Sequence, residues 1–137
     1  FGGVKEWHEG LFVSYRELGY VTGLSGFRRR APISENELIN TPIQSDEAII
    51  VCDAMARLTD LRRAALQPNM EIHDDFTFLW RESKVDEYAR IVLDIMLNCP
   101  FKWAQIIPLG VEFVVGDNWF KQSTVGEYFT DTWRGEL

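Results

Sequence analysis

Apolar residues recur at three- and four-residue intervals through the opening of the chain. Val4, Trp7, Leu11, Tyr15 and Leu18 share one helical face, which predicts a helix over residues 4–18. Gly19 follows, where helices commonly end on a left-handed glycine. "YVTGLSGFRRR" then predicts a β-hairpin with short strands around residues 23–26. "APISENELIN" has the character of a polar connection. From 44 to about 66 the helical period returns. Ala48, Val51, Cys52, Met55, Leu58 and Leu61 form one stripe, with Asp53 and Arg57 four apart on the other face and placed to pair. Pro68 and Asn69 close this helix.

The next stretch, "NMEIHDDFTFLW", has apolar residues in strand-type company, with Ile72, Phe76, Phe78 and Trp80 around a polar centre. Two adjacent acids in a buried strand would be costly, because burying unpaired charge costs several kcal/mol. A divalent cation is one compensation. The arrangement that exposes them is a pair of strands over residues 70–81, meeting in a tight turn at 73–75 with aromatic residues anchoring both arms.

Ser83-x-x-Asp86 has the spacing of a capping box. A third helix follows, with Val85, Tyr88, Ile91, Val92, Ile95 and Cys99 on one face, stopped by Pro100. "PLGVEFVVGDNWF" gives a last strand and a Gly-Asp-Asn turn before Trp119, with Trp80 and Trp119 expected as core anchors. Residues 121–137 show no clear period. The order α-ββ-α-ββ-α-β predicts an α+β class, an antiparallel sheet with helices on one face in the general layout of ferredoxin-like sheets.

At 137 residues, 46% hydrophobic and 26% charged, the chain has the length and composition of one ordered domain. Cys52 and Cys99 have neither zinc spacing nor a disulfide pattern, and are expected reduced and buried, as in a cytoplasmic protein. There is no signal-peptide pattern, and no apolar run approaches the 18 residues of a membrane span. The net charge of −7 argues against nucleic-acid binding, which needs Lys and Arg for phosphate. Two local exceptions stand out, Arg28, Arg29 and Arg30 in a row, and Arg62 with Arg63.

Three blocks change the picture together: "NTPIQS" at a helix opening, "HDD" at the hairpin tip and "VEFVVGDNW" near the end. In this order they resemble the C-terminal palm of family A DNA polymerases, in particular phage-type ones, with their N-x-P-x-Q helix, HDE hairpin and closing VE-x-x-x-G-x-N-W. "GYVTGLSGFRRR" is similar to the family's GYV-x-T-x-x-G-R-R hairpin. The resemblance covers residues 1–119 and leaves 120–137 as a tail.

By position, the resemblance implies that Asp74 is the motif C ligand of the catalytic Mg²⁺ pair. Asp75 is its acidic neighbour, usually Glu in the family, and a second candidate ligand. His73 lies near the primer terminus. Asn40 and Gln44 face the primer–template duplex, and Arg28, Arg29 and Arg30 are candidate phosphate contacts. Carboxylate oxygens are the hard ligands that two-metal phosphoryl transfer needs. Asn and Gln can donate to minor-groove acceptors, whose pattern is nearly independent of sequence.

The chain also departs from the family. Ser45 stands where bacterial members have Gly, and Asn36 where an Arg is frequent. The extra Phe27 shifts the arginines by one place. Motif A (D-Y-S-x-[IL]-E) and the fingers helix with its nucleotide-binding Lys are absent from these residues. The resemblance therefore implies a split enzyme: a partner chain with motif A, fingers and thumb, acting on primer–template DNA and dNTP, away from any membrane and in a host cytoplasm if phage-encoded. The chain by itself is expected to be inactive. Two alternatives remain at this point, a non-catalytic palm-fold docking module and an RRM-like nucleic-acid-binding domain.

Overall fold

The computed structural model describes residues 2–106 and 108–137. The chain divides into two compact units, one ending at Ile49 and the other beginning at Ile50.

In the first unit, α1 (Val4–Leu18) ends as its pattern predicts. Gly19 is left-handed at φ 73°, and its amide donates to the Tyr15 carbonyl at 2.8 Å. The expected hairpin follows, β1 (Tyr20–Thr22) antiparallel to β2 (Arg28–Arg30), with Tyr20 opposite Arg30. Its residue Val21 is buried, as are Leu38 and Thr41 further along. No α1 residue is fully buried, and Trp7 keeps 40% of its surface exposed.

The polar connection is shorter than the sequence suggests. α2 (Glu35–Asp60) starts nine residues before Gln44 and runs through Pro42. The cause is a capping box at Ser34 and Glu37. The Ser34 amide and hydroxyl donate to the Glu37 carboxylate at 2.9 and 2.7 Å, and the Glu37 amide returns a longer bond of 3.4 Å to the Ser34 hydroxyl. This start offsets the one helical hydrogen bond that Pro42 cannot donate. The other end falls short of 66: α2 stops at Asp60, and Ala64–Leu66 form a separate 3₁₀ turn.

In the second unit the rest of α2 buries Val51, Ala54 and Leu58, whereas Cys52 and Leu61 are exposed. The expectation of two buried cysteines thus holds for Cys99 only, and both are free thiols. β3 (Met70–Ile72) pairs with β4 (Asp75–Thr77). A 3₁₀ turn (Glu82–Lys84) leads into α3 (Val85–Leu97), which has no side-chain cap. Ser83 lies inside that turn, so the expected Ser83–Asp86 box does not form. α3 buries Ala89, Val92, Leu93 and Leu97. Leu58, Leu66 and Val92 form the centre of the core, with Phe76, Phe78, Trp80 and Tyr88 packed around it.

The end of the chain differs most from its pattern. β5 (Gly110–Asn118) continues through the Gly-Asp-Asn stretch, and residues without a clear period form β6 (Lys121–Phe129) against it. Two register shifts break the alternation of faces, which is why the pattern was illegible. Gly116 permits the narrow end: a Cβ there would lie 2.0 Å from the Lys121 carbonyl oxygen. The turn is Trp119 and Phe120, 45% and 93% exposed, so Trp119 is not the expected core anchor. Trp133 folds back edge-on to Tyr128 and donates to the Asp94 carboxylate at 3.2 Å.

The class is α+β, with every strand antiparallel. Among the described residues each strand pairs with its chain neighbour, giving three two-stranded sheets. A ferredoxin-like or RRM sheet is therefore not formed among the described residues. None of the described helices is long and apolar enough to cross a membrane.

Candidate functional site

The predicted residues fall into two groups, one per unit. In the second unit, Ile72 pairs with Asp75, which leaves His73 and Asp74 as the two turn residues. His73 has φ 59°. Positive φ at the first turn position matches the twist of a two-residue hairpin, and His is among the residues that tolerate it. Both acids are exposed, and all of β3 is exposed. The expected tight turn thus exposes both carboxylates, with Asp75 already in the ladder, and at the tip they carry no burial penalty that a cation must offset.

The two acids are not equivalent. Asp75 lies in the ladder on the same face as Ile72, Met70 and Thr77, since opposite residues share a face and faces alternate along a strand. Phe76 lies on the other face, against the core. Asp74 is in the turn itself, beyond the last ladder pair. Ile72 and Met70 remain 44% and 41% exposed, so the Asp75 face of the hairpin is apolar and open to solvent.

Such a short hairpin is marginal by itself, and its base supplies the support. The Asn69 amide donates to the Thr77 carbonyl and the Leu79 amide to the Asn69 side-chain oxygen, both at 2.8 Å. Phe76 meets Phe78 edge-on, Phe78 stacks on Trp80 at 4.7 Å, and Trp80 meets Tyr88 of α3 edge-on at 5.7 Å. The Trp80 indole N–H donates to the Ala65 carbonyl at 2.6 Å. Each aromatic pair adds about 1 kcal/mol beyond area burial. The tip is therefore a polar point on an apolar mount.

In the first unit, the alternation of β2 separates the arginines. Arg28 and Arg30 are exposed, with the Arg28 guanidinium 4.9 Å over the Tyr20 ring. Arg29 turns the other way, to an ion pair with Glu37 and a 3.4 Å bond to the Thr41 hydroxyl. The Ser34 amide, the Ser34 hydroxyl and Arg29 together hold the Glu37 carboxyl down at about 2. Asn40 and Gln44 are exposed on α2. Sequence reasoning missed Glu37 and Asp46. The Asp46 carboxylate accepts from the Leu24 and Ser25 amides at 2.8 and 2.9 Å. The Ser34-x-x-Glu37 spacing was a legible signal for the first; nothing in the sequence marks the second.

Among the described residues no group of three or more His, Cys, Asp or Glu is placed to hold a metal ion. Two adjacent carboxylates suit a hard cation but supply fewer ligands than Mg²⁺ takes. They can be part of a metal site but do not complete one.

The chain belongs to DNA polymerase family A, whose family model matches residues 1–121. It is 28% identical over 134 residues to DNA polymerase I of Geobacillus stearothermophilus, covering 88% of this chain and 15% of that protein. It is 29% identical over 136 residues to DNA polymerase I of Chloroflexus aurantiacus, covering 90% and 14%. DNA polymerase I of Bacillus subtilis is 28% identical, with 88% and 15% covered. The chain spans only about 15% of the length of these curated relatives. No solved structure matches it.

Proposed function

We infer that these residues are the C-terminal palm portion of a template-directed DNA polymerase and present motif C on the hairpin of residues 70–81. The observation that carries this reading is the position of Asp74: at the turn of a hairpin fixed by an aromatic mount, within the stretch matched by the family. Asp74 contributes a carboxylate ligand to a shared metal site. Asp75, set back on the ladder, supports it from the adjacent face. His73 faces the primer end. Mg²⁺, used generally in the family, would supply charge stabilisation to the attacking and leaving oxygens. Asn40 and Gln44 contact the duplex through its minor groove, and Arg28 and Arg30 contact phosphate. With Glu37 paired to it, Arg29 serves instead to hold the hairpin.

The second aspartate, the nucleotide-binding Lys and most of the basic cleft come from polypeptide outside these 137 residues, in our reading a partner chain with motif A, fingers and thumb. The net charge of −7 is compatible with DNA binding on that basis. The test is reconstitution. The chain should extend no primer alone, and template-directed extension should appear when the partner is added. Extension by the purified chain alone, or a partner equally active without it, would contradict the reading.

A further inference from the structure

The β1–β2 hairpin carries Arg28 and Arg30 on strands of only three residues, too short to be stable unaided. Two groups on α2 tie it down. Glu37 holds Arg29 in mid-strand, and Asp46 grips the far end, one carboxylate oxygen for each of the Leu24 and Ser25 amides. Glu37 and Asp46 are nine residues apart, about two and a half helical turns, so the two ties are separated along the helix. Gly23 makes the second tie possible. A Cβ on Gly23 would lie 2.3 Å from an Asp46 carboxylate oxygen and 2.8 Å from the Ser45 hydroxyl. The backbone at Gly23 does not have positive φ, so the glycine is needed there for space and not for conformation.

We propose that Asp46 is a positioning residue for DNA: by clamping the turn at residues 23–25 it holds Arg28 and Arg30 in a fixed register on the helix that bears Asn40 and Gln44. Both amides donate to an ionised acceptor, the stronger class of hydrogen bond. The clamp acts before DNA arrives, so the arginines need not be ordered on binding. Asp46 itself does not touch DNA, where its charge would repel phosphate. This inference rests on the polymerase reading above.

The experiment uses the reconstituted complex with four variants, Asp46→Ala, Asp46→Asn, Gly23→Ala and the double variant Gly23→Ala/Asp46→Ala, with Arg30→Ala as reference. Primer–template affinity is measured across a salt series, with kcat beside it. Asp46→Ala should weaken binding about fivefold and lower the salt slope by about 1, as Arg30→Ala does, because a displaced arginine no longer neutralises its phosphate. kcat at saturating DNA should stay within about twofold, as expected for a residue that only positions. Asp46→Asn keeps one acceptor and should fall between. Gly23→Ala should reproduce Asp46→Ala by expelling the carboxylate, and the double variant should be no worse than either single one. Amide exchange at Leu24 and Ser25 should accelerate in both single alanine variants. If Arg30→Ala weakens binding while Asp46→Ala and Gly23→Ala retain wild-type affinity and slope, the inference is overturned and the polymerase reading stands. If the wild-type complex does not bind primer–template, both fall.

Discussion

The hairpins β1–β2 and β3–β4 are the same size, three residues to a strand, and are held in opposite ways. The first is tied by charge. Arg29 is answered by Glu37, and the turn amides by Asp46. The second is held by packing, through Phe76, Phe78 and Trp80 on α3 and the 3₁₀ turn. Its two acids have no ion-pair partner among the described residues. A hairpin whose charges are spent on its own support offers only what remains, here Arg28 and Arg30. A hairpin supported by aromatic rings keeps all its polar groups for an outside partner. The catalytic role proposed for the second and the grip proposed for the first follow from this division.

The largest effect that would sharpen the contrast is at the acidic tip. In the reconstituted complex Asp74→Asn should slow extension about 10³-fold, since one ligand of a charge-stabilising clamp is lost. Asp75→Asn should cost clearly less, because Asp75 lies back on the ladder. Primer–template affinity should hardly change for either, as positioning comes mostly from phosphate contacts. Near-normal turnover for Asp74→Asn would return the acids to a solvated turn.

Next is the mount. Phe78→Ala should destabilise the second unit by about 2 kcal/mol, through lost packing with Trp80 and Phe76. It should slow extension more than it weakens DNA binding. Chemical denaturation followed by Trp fluorescence measures the first effect. Equal losses in binding and turnover would show that the mount does not act through the tip.

A smaller effect distinguishes the arginines. Arg30→Ala should weaken DNA binding about fivefold with a salt slope lower by about 1. Arg29→Ala should instead loosen the hairpin and raise the Glu37 carboxyl pKa towards its ordinary value. A fall in slope from Arg29→Ala with the hairpin amides still protected from exchange would put Arg29 on phosphate after all.

The smallest effect is one of pH. Glu37 titrates at about 2 when folded, against 4.5 as the ordinary value. A depressed carboxylate contributes stability above its unfolded value, and that stability is lost as pH falls through the folded one. The cap and the Arg29 tie should therefore be intact at pH 5 and above, and weaken between about 4.5 and 2. The ¹³C shift of the Glu37 carboxyl group follows this directly. A midpoint at the ordinary value would mean that Ser34 and Arg29 do not hold it in solution.

Much of this was legible in the sequence, and the exceptions have physical causes. The first helix and first hairpin follow from period and glycine placement, the third helix from period, and the second hairpin from strand-type residues around a polar centre. The tip of His73, Asp74 and Asp75 came from a motif, and its exposure from turn chemistry. The early start of α2 lies in a stretch whose polar character reads as a connection, while the Ser34 and Glu37 cap that starts the helix there precedes the apolar period. β6 was missed because two register shifts scramble the alternation around Gly116. Asp46 was illegible for a different reason. Its partners are backbone amides 21 and 22 residues away, and a backbone amide leaves no trace in side-chain pattern.

The central claim, that Asp74 and not Asp75 is the metal ligand at the tip, is tested most directly by paramagnetic Mn²⁺. Mn²⁺ is titrated into the reconstituted complex with this chain isotope-labelled, and amide signals are followed. Broadening should centre on His73, Asp74 and Asp75 at low Mn²⁺, require about tenfold more ion in Asp74→Asn, and persist in Asp75→Asn. Broadening that spares the hairpin, or that survives Asp74→Asn unchanged, would contradict the account.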